Sequence, residues 1–289
     1  MARHRLAPYA AVAPAAVLLL AAFGLPLAQV FVLAFSRATR GGDPVGFDGI
    51  TNFLRLFADP LFPRVIIQTG IWSVGIIVPA TILSIAVALA LNERFPGRSV
   101  ARAIVFAPWA VSFVFVSIIW RLILDRYFGH FNELLSLLVG APVTTAWLAE
   151  PTTAMISVIW VGVTLTIPFT TIVLLAGLQA VPGELLEAAS LDGAGSVARF
   201  RYVTLPLIQP VLAVATLVNL LYIFNSFPII WTMTGGGPAN ATDTFATYLY
   251  KIAFTDLDFG KAAALSVLGF GLLILISVAY MRRTAKDVF

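Results

Sequence analysis

The chain contains six long stretches without a charged side chain. A helix rises about 1.5 Å per residue and the hydrocarbon core of a bilayer is about 30 Å thick, so about 20 apolar residues cross it. The stretches have roughly this length or more, which predicts an all-α, polytopic membrane protein with six transmembrane helices in one domain over residues 1–289. The predicted spans are 10–36, 66–91, 103–120, 152–179, 207–233 and 262–281.

Composition agrees with this fold class. Hydrophobic residues make up 60% and charged residues 11% of the chain, against about 25% charged residues in soluble domains. There is no cysteine, and the two histidines are His4 and His130, so the sequence predicts no disulfide, no thiol catalysis and no metal site. We interpret the net charge of +4 as basic flanks of the spans and predict no nucleic-acid partner.

Basic residues also predict the orientation. With the N-terminus in the cytoplasm, ten Lys and Arg residues lie inside and eight outside, and the inside segments are much shorter. This density predicts that both termini are cytoplasmic. The first stretch follows Arg3 and Arg5, as a secretory signal does. Its 30 residues from Ala7 to Ser36 exceed a signal core of about 7–15 residues, so we interpret it as a retained span.

The predicted spans contain no ionisable residue at depth, which argues against a proton-coupled carrier or a voltage sensor. Sodium coupling through carbonyl and hydroxyl groups stays open. The chain has no phosphate-binding loop, because its only Gly-Lys pair, Gly260-Lys261, is followed by Ala262. It also lacks the HExxH and GxSxG motifs, so we predict that it is not an enzyme and that uphill transport requires a separate ATPase.

The predicted cytoplasmic loop 181–206 has a distinctive pattern. Pro182 suits the first turn of a helix, and Glu184 and Glu187 suit the positive end of its dipole. Gly193 is suited to end that helix. An amphipathic helix at the membrane surface and a helix that inserts into a groove on a partner both fit these features.

The loop resembles the EAA loop of binding-protein-dependent ABC transporter permeases. The similar residues are Glu187-Ala188-Ala189, Gly193, Val203 and Leu205-Pro206, with Val203 where the family pattern has Ile. In that family the loop forms the coupling helix, which docks into a cleft of the ATPase subunit. We therefore predict a set of ATPase-coupling residues, comprising Glu184, Glu187, Ala188, Ala189, Asp192 and Gly193.

Three further motifs resemble the carbohydrate-uptake subgroup, in particular a first permease of the maltose-transporter type. They are Gly49-Ile50-Thr51-Asn52-Phe53, Ala107-Pro108-Trp109 and Thr234-Gly235-Gly236-Gly237-Pro238. The resemblance implies a multi-pass protein of the prokaryotic plasma (inner) membrane, surrounded by membrane lipid. It also implies a second homologous permease subunit, an ATPase subunit dimer that uses ATP and Mg, and an external substrate-binding protein. No cofactor is expected in this chain.

Two faces of the spans carry polar and aromatic side chains suited to a sugar, which needs amides, hydroxyls and aromatic rings. They also match the positions that line the sugar site in maltose-type permeases. Helix–helix packing through the same polar groups is the alternative. The predicted substrate-pathway residues are Gly162, Leu165, Thr166 and Phe169 around Pro168 in the fourth span, and Asn219, Tyr222, Ile223, Asn225 and Ser226 in the fifth.

The sequence thus predicts a permease that forms half of an ATP-driven importer for a mono- or oligosaccharide or a polyol, working by alternating access. A glycerol-phosphate permease, a stand-alone secondary carrier and a membrane scaffold or enzyme are the alternatives. The tryptophans at 72, 120, 147 and 160 are interpreted as interface anchors or packing residues. The outer segments Asn132–Leu138 and 243–258 suit either docking of a binding protein or packing on the membrane surface.

Overall fold

A computed structural model describes residues 12–288 of the chain, with side chains up to residue 283. His4, Arg3 and Arg5 and the first residues of the predicted span 10–36 lie outside the described residues, as does the side chain of Lys286. The described part is mostly helical. Its helices are α1 Val12–Ala34, α2 Thr51–Phe57, α3 Leu61–Asn92, α4 Arg98–Phe106, α5 Phe113–Ile123, α6 His130–Val139, α7 Pro151–Gln179, α8 Gly183–Leu191, α9 Ser196–Phe224, α10 Pro228–Met233, α11 Phe245–Tyr250 and α12 Phe259–Val288.

Five helices in the described residues are long and apolar enough to cross a membrane. They are α1, α3, α7, α9 and the stretch Phe259–Arg283 of α12. A sixth crossing exists only if α4 with its following turn and α5 count as one broken span, because the two pieces are bent by 95°. The positions at which the helices cross the bilayer, and the single domain over 1–289, stay predictions.

The predicted third span, 103–120, is not one continuous helix. After α4 the chain makes a 3-10 turn, Ala107–Ala110, and then extends at Val111 and Ser112 before α5 begins. Pro108 has no N–H to donate to a helical ladder, and extended backbone at Val111 and Ser112 cannot belong to a helix. The uncharged stretch therefore folds into two helices at a sharp angle.

The predicted fifth span, 207–233, is also interrupted. Helix α9 ends at Phe224, residues 225–227 form a break, and α10 starts at Pro228. Proline is well placed at a helix start but cannot continue a preceding helix without losing a hydrogen bond. Ser226 therefore lies beyond the end of α9 and does not share a helical face with Asn219 and Tyr222.

The chain divides into two compact units. One consists of the chain up to Pro63 together with Leu249–Ile274, and the other of Arg64–Tyr248 together with the chain from Leu275. The second unit contains two apolar clusters, one around Trp72, Val158 and Ile230 and the other around Leu174 and Ile208. The first cluster surrounds the candidate site described below.

The first unit contains a departure from the predicted all-α class. Strands β1 Ser36–Ala38 and β2 Pro44–Phe47 pair antiparallel, with Ser36 opposite Phe47. The turn between them is stabilised by the Thr39 hydroxyl, which accepts hydrogen bonds from the backbone N–H groups of Gly41 and Asp43 at 3.2 Å. The sequence motif Gly-Gly-Asp-Pro predicts this turn, but the paired strands are too short to show an alternating pattern.

Candidate functional site

A cavity of about 180 Å³ lies within the second unit, among α3, α7, α9, α10 and the bend between α4 and α5. Its lining combines aromatic and aliphatic side chains with a few amide and hydroxyl groups, and none of the lining residues is charged at neutral pH. The lining residues are Trp72, Ile76, Trp109, Phe113, Gly162, Leu165, Thr166, Phe169, Val218, Asn219, Tyr222, Ile223, Ser226 and Ile229.

The structure brings together eight of the nine residues that the sequence suggested for the substrate pathway. Gly162, Leu165, Thr166 and Phe169 enter from α7, and Asn219, Tyr222, Ile223 and Ser226 enter from α9 and the break after it. Asn225 does not line this cavity. It lines an adjoining, more open pocket with Tyr222 and Ser226, and its amide donates to the Leu221 carbonyl at 2.8 Å.

Glycine at 162 is required by the close approach of α3 and α7. A Cβ atom there would lie 2.3 Å from Cδ1 of Ile76, which is buried. This close approach places the Trp72 side chain beside α7 and closes one wall of the cavity. Helix α7 continues through Pro168 without a break in its helical assignment.

The aromatic part of the lining is larger than the sequence suggested. The Trp109 and Phe169 rings lie 6.3 Å apart, and Phe113 meets Tyr222 edge to face at 5.7 Å. Trp109 and Phe113 reach the cavity because the chain bends between α4 and α5. The motif Ala107-Pro108-Trp109 lies at this bend. Because the sequence predicted one span through this region, it did not predict that Trp109 and Phe113 line the same cavity.

Trp72 is fully buried and joins two elements of the cavity wall. Its indole N–H donates to the Ile223 carbonyl at 3.0 Å, and the backbone N–H of Ser226 donates to the same oxygen at 3.1 Å. That carbonyl belongs to the last turn of α9, where helical partners run out. The interpretation of Trp72 as a packing residue therefore fits, whereas an interface anchor does not.

Some of the polar groups serve packing. Asn219 donates its amide to the Thr170 hydroxyl at 2.8 Å and so links α9 to α7. The Thr166 hydroxyl donates to the Gly162 carbonyl of its own helix at 2.7 Å. The polar capacity left for a bound molecule is therefore the second N–H and the carbonyl oxygen of Asn219, the acceptor capacity of the Thr166 hydroxyl, and the hydroxyls of Tyr222 and Ser226.

The loop 181–206 folds as a short helix with an accessible surface. Helix α8 follows Pro182 and has no buried residue. It ends as expected at Gly193, whose φ of +82° is the left-handed conformation that favours glycine. Arg199 at the start of α9 donates to the Ser190 hydroxyl at 2.6 Å and ties the end of α8 to α9.

The predicted coupling residues lie together on this helix and its end. Glu184, Glu187, Ala188, Asp192 and Gly193 are exposed, and Ala189 is partly buried. Leu191 beside them is 89% exposed. The helix thus leaves acids, small residues and an apolar side chain exposed instead of burying a stripe against its own chain.

Among the described residues, no group of three or more His, Asp or Glu side chains is placed to hold a metal ion. Ionisable groups lie mainly in the segments between the long helices. In the turn after α5, backbone N–H groups of Phe128 and Tyr127 lower the pKa of Asp125 below its ordinary value.

Comparison with known proteins gives three kinds of match. The model of the family "Binding-protein-dependent transport system inner membrane component" matches residues 80–287. A probable ABC transporter permease protein of Brucella suis is 40% identical and covers 99% of each chain. The trehalose/maltose transport system permease protein of Thermococcus litoralis is 37% identical over 89% of this chain and 86% of its own length.

A relative named for another transport substrate and a solved structure also match. The sulfoquinovosyl glycerol transport system permease protein of Agrobacterium fabrum is 32% identical over 93% of this chain and 87% of its own length. Among solved structures, a bacterial ABC transporter involved in the import of alginate has a chain that matches with a TM-score of 0.85 at 24% identity, covering 98% of this chain and 96% of that one. At this identity the match shows a common fold.

Proposed function

We infer the function from a family: this chain belongs to the inner membrane components of binding-protein-dependent transport systems. It is a permease subunit of an ABC importer, and ATP hydrolysis belongs to a separate subunit. We propose that it forms half of a pathway for a carbohydrate, delivered by an external binding protein and shared with a second homologous permease subunit.

The observation that carries the carbohydrate assignment is the lining of the cavity. Five aromatic side chains surround it, together with an amide and hydroxyl groups, and no lining residue is charged. Aromatic rings cover the apolar faces of sugar rings, and amides and hydroxyls bind sugar hydroxyls. The relative named for trehalose/maltose transport supports the same class.

A glycerol-phosphate substrate is the less favoured alternative. A phosphate group is commonly held by Arg or Lys side chains, which neutralise its charge. The cavity lining offers neither Lys nor Arg. A stand-alone secondary carrier is disfavoured by the family membership and by the exposed helix α8.

We propose that α8 is the coupling helix. In this proposal Glu184, Glu187, Ala188, Ala189, Asp192 and Gly193 contact the ATPase, and closure of the ATPase dimer on ATP and Mg moves α8 and the spans attached to it. The exposure of the helix and the bond from Arg199 to Ser190 support this role. The same proposal places both termini in the cytoplasm. With six crossings and α8 between the fourth and the fifth, α8 lies on the same side of the membrane as both termini.

The coupling proposal is tested by purifying the tagged chain in mild detergent from its native host. We expect an ATPase and a second permease to co-elute with the wild type, and the ATPase to be lost in Glu187→Arg. The matched control is Glu93→Arg, which makes the same charge change at another exposed glutamate on the proposed cytoplasmic side. Equal loss of the ATPase in both variants would contradict a specific role for α8.

The substrate proposal is tested in vesicles that contain the complete importer and its binding protein, with a panel of sugars and polyols. We expect Phe113→Ala to lower sugar uptake severalfold while the complex still assembles, because the ring faces the cavity. The control is Phe115→Ala, two residues along the same helix, where the side chain is 57% exposed. Uptake that falls equally in both variants would argue against this cavity as the pathway.

A further inference from the structure

A row of large apolar side chains is exposed in the segment between α1 and α3. Val45 and Phe47 lie two residues apart on β2, so they share one face of the strand, and are 71% and 80% exposed. Ile50 directly precedes α2, whereas Leu54 and Phe57 lie on it; the three follow helical spacing and are 57–59% exposed. We call these five residues the apolar ridge; such a surface calls for a covering partner.

The polar contacts of α2 fix the position of the ridge relative to the end of the first spanning helix. Asn52 is buried, and its amide donates to the carbonyl oxygens of Ala34 at 3.1 Å and Ser36 at 2.8 Å. The Ala34 carbonyl lies at the C-terminus of α1, where backbone oxygens lack helical partners. Helix α2 therefore begins beside the point at which the first spanning helix ends.

The contacts of α2 with the start of α12 fix the position of the ridge relative to the last spanning helix as well. A Cβ atom on Gly260 would lie 2.8 Å from the amide of Asn52, so α12 begins in close contact with α2. Arg55 pairs with Asp258, and Lys261 pairs with Asp59. Charged pairs of this kind belong at the boundary of a bilayer rather than in its hydrocarbon core.

We propose that the apolar ridge inserts into the interfacial zone of the bilayer, in the leaflet where α1 ends. The ridge continues an exposed apolar surface of a membrane-spanning helix, because Phe31 and Val32 near the end of α1 are exposed apolar residues as well. A membrane-surface helix of this kind buries its apolar face about 5–10 Å into the boundary between headgroups and acyl chains. The ion pairs between α2 and the region around α12 then lie toward the headgroups and water.

The partner is thus the lipid surface, and the ridge acts as a lateral anchor for the ends of the first and last spans. The leaflet is the outer one in the orientation proposed above. The insertion itself depends neither on that orientation nor on the transported substrate, so a failure of the carbohydrate proposal leaves it standing.

The natural absence of cysteine from the chain makes a direct test possible. Single variants Phe47→Cys, Leu54→Cys and Phe57→Cys are spin-labelled in the complete importer, reconstituted in lipid vesicles with partner subunits whose accessible cysteines are replaced. Collision rates with oxygen, which concentrates in lipid, and with a water-soluble nickel complex are measured. Val32→Cys, exposed on the spanning helix α1, is the reference within a span, and Arg40→Cys at the hairpin turn, also exposed, is the aqueous reference.

We expect an oxygen-to-nickel ratio at the three ridge positions that is severalfold above that of Arg40→Cys and approaches that of Val32→Cys. A ratio equal to that of Arg40→Cys means that the ridge faces water and overturns the proposal. Low accessibility to both reagents with an immobilised spectrum means that a protein covers the ridge, which also overturns it. Co-elution of the ATPase with each variant shows that the labelled complex is assembled.

Discussion

At the residue scale, Trp72 joins the cavity wall to the end of α9. We expect Trp72→Phe to destabilise the chain by about 1 kcal/mol, because the Ile223 carbonyl loses its indole donor but keeps the N–H of Ser226. Thermal unfolding of the purified complex measures this as a lower Tm. The control is Trp160→Phe on α7, where the side chain is 53% exposed, and an equal change of Tm in both variants would contradict the role of the hydrogen bond.

Gly162 sets the spacing of two helices at the same scale. We expect Gly162→Ala to cost about 1–3 kcal/mol by overpacking against Ile76, since the added Cβ would lie 2.3 Å from its Cδ1 atom. The double variant Gly162→Ala with Ile76→Val removes that atom and should recover part of the lost Tm. Gly70→Ala in α3 is the control, because a Cβ there meets nothing within 4 Å; destabilisation by Gly70→Ala of the same size would refute the packing explanation.

At the element scale, the end of α8 depends on a left-handed residue. We expect Gly193→Ala to cost roughly 1–2 kcal/mol locally, because φ at this position is +82°. The altered helix end should weaken the retention of the ATPase and lower its activity in the complex. Gly195→Ala is the matched control, since φ is −67° there; equal losses from the two changes would mean that backbone geometry is not the cause.

Long helices could be predicted from the sequence, whereas their interruptions could not. Uninterrupted apolar stretches identify α3 and α7, because the length and the hydrophobicity of a segment can be read from its own residues without knowledge of its neighbours in the fold. The bend at Ala107–Ser112 and the break at Asn225–Phe227 depend on where the freed backbone groups find partners, such as the indole of Trp72 for the Ile223 carbonyl. Such partners come from distant parts of the chain, so sequence spacing on α9 found Asn219 and Tyr222 but missed Trp109 and Phe113.

At the scale of the whole molecule, the absence of cysteine allows the orientation to be measured. We expect Phe128→Cys, 87% exposed between α5 and α6, to react with a membrane-impermeant maleimide on intact spheroplasts. Val197→Cys at the start of α9, 79% exposed, should react only after the membrane is permeabilised. The opposite result would invert the proposed orientation and place α8 on the side without ATP.

The uncharged lining of the cavity has an electrical consequence. If a neutral sugar passes through it, no charge of the solute and none of the lining side chains moves through the field across the bilayer. The membrane potential does work only on displaced charge, about 2.3 kcal/mol per elementary charge and 100 mV. For a neutral sugar the solute and the lining therefore contribute no displaced charge, and we expect a cell that loses its potential but keeps its ATP to continue importing the sugar.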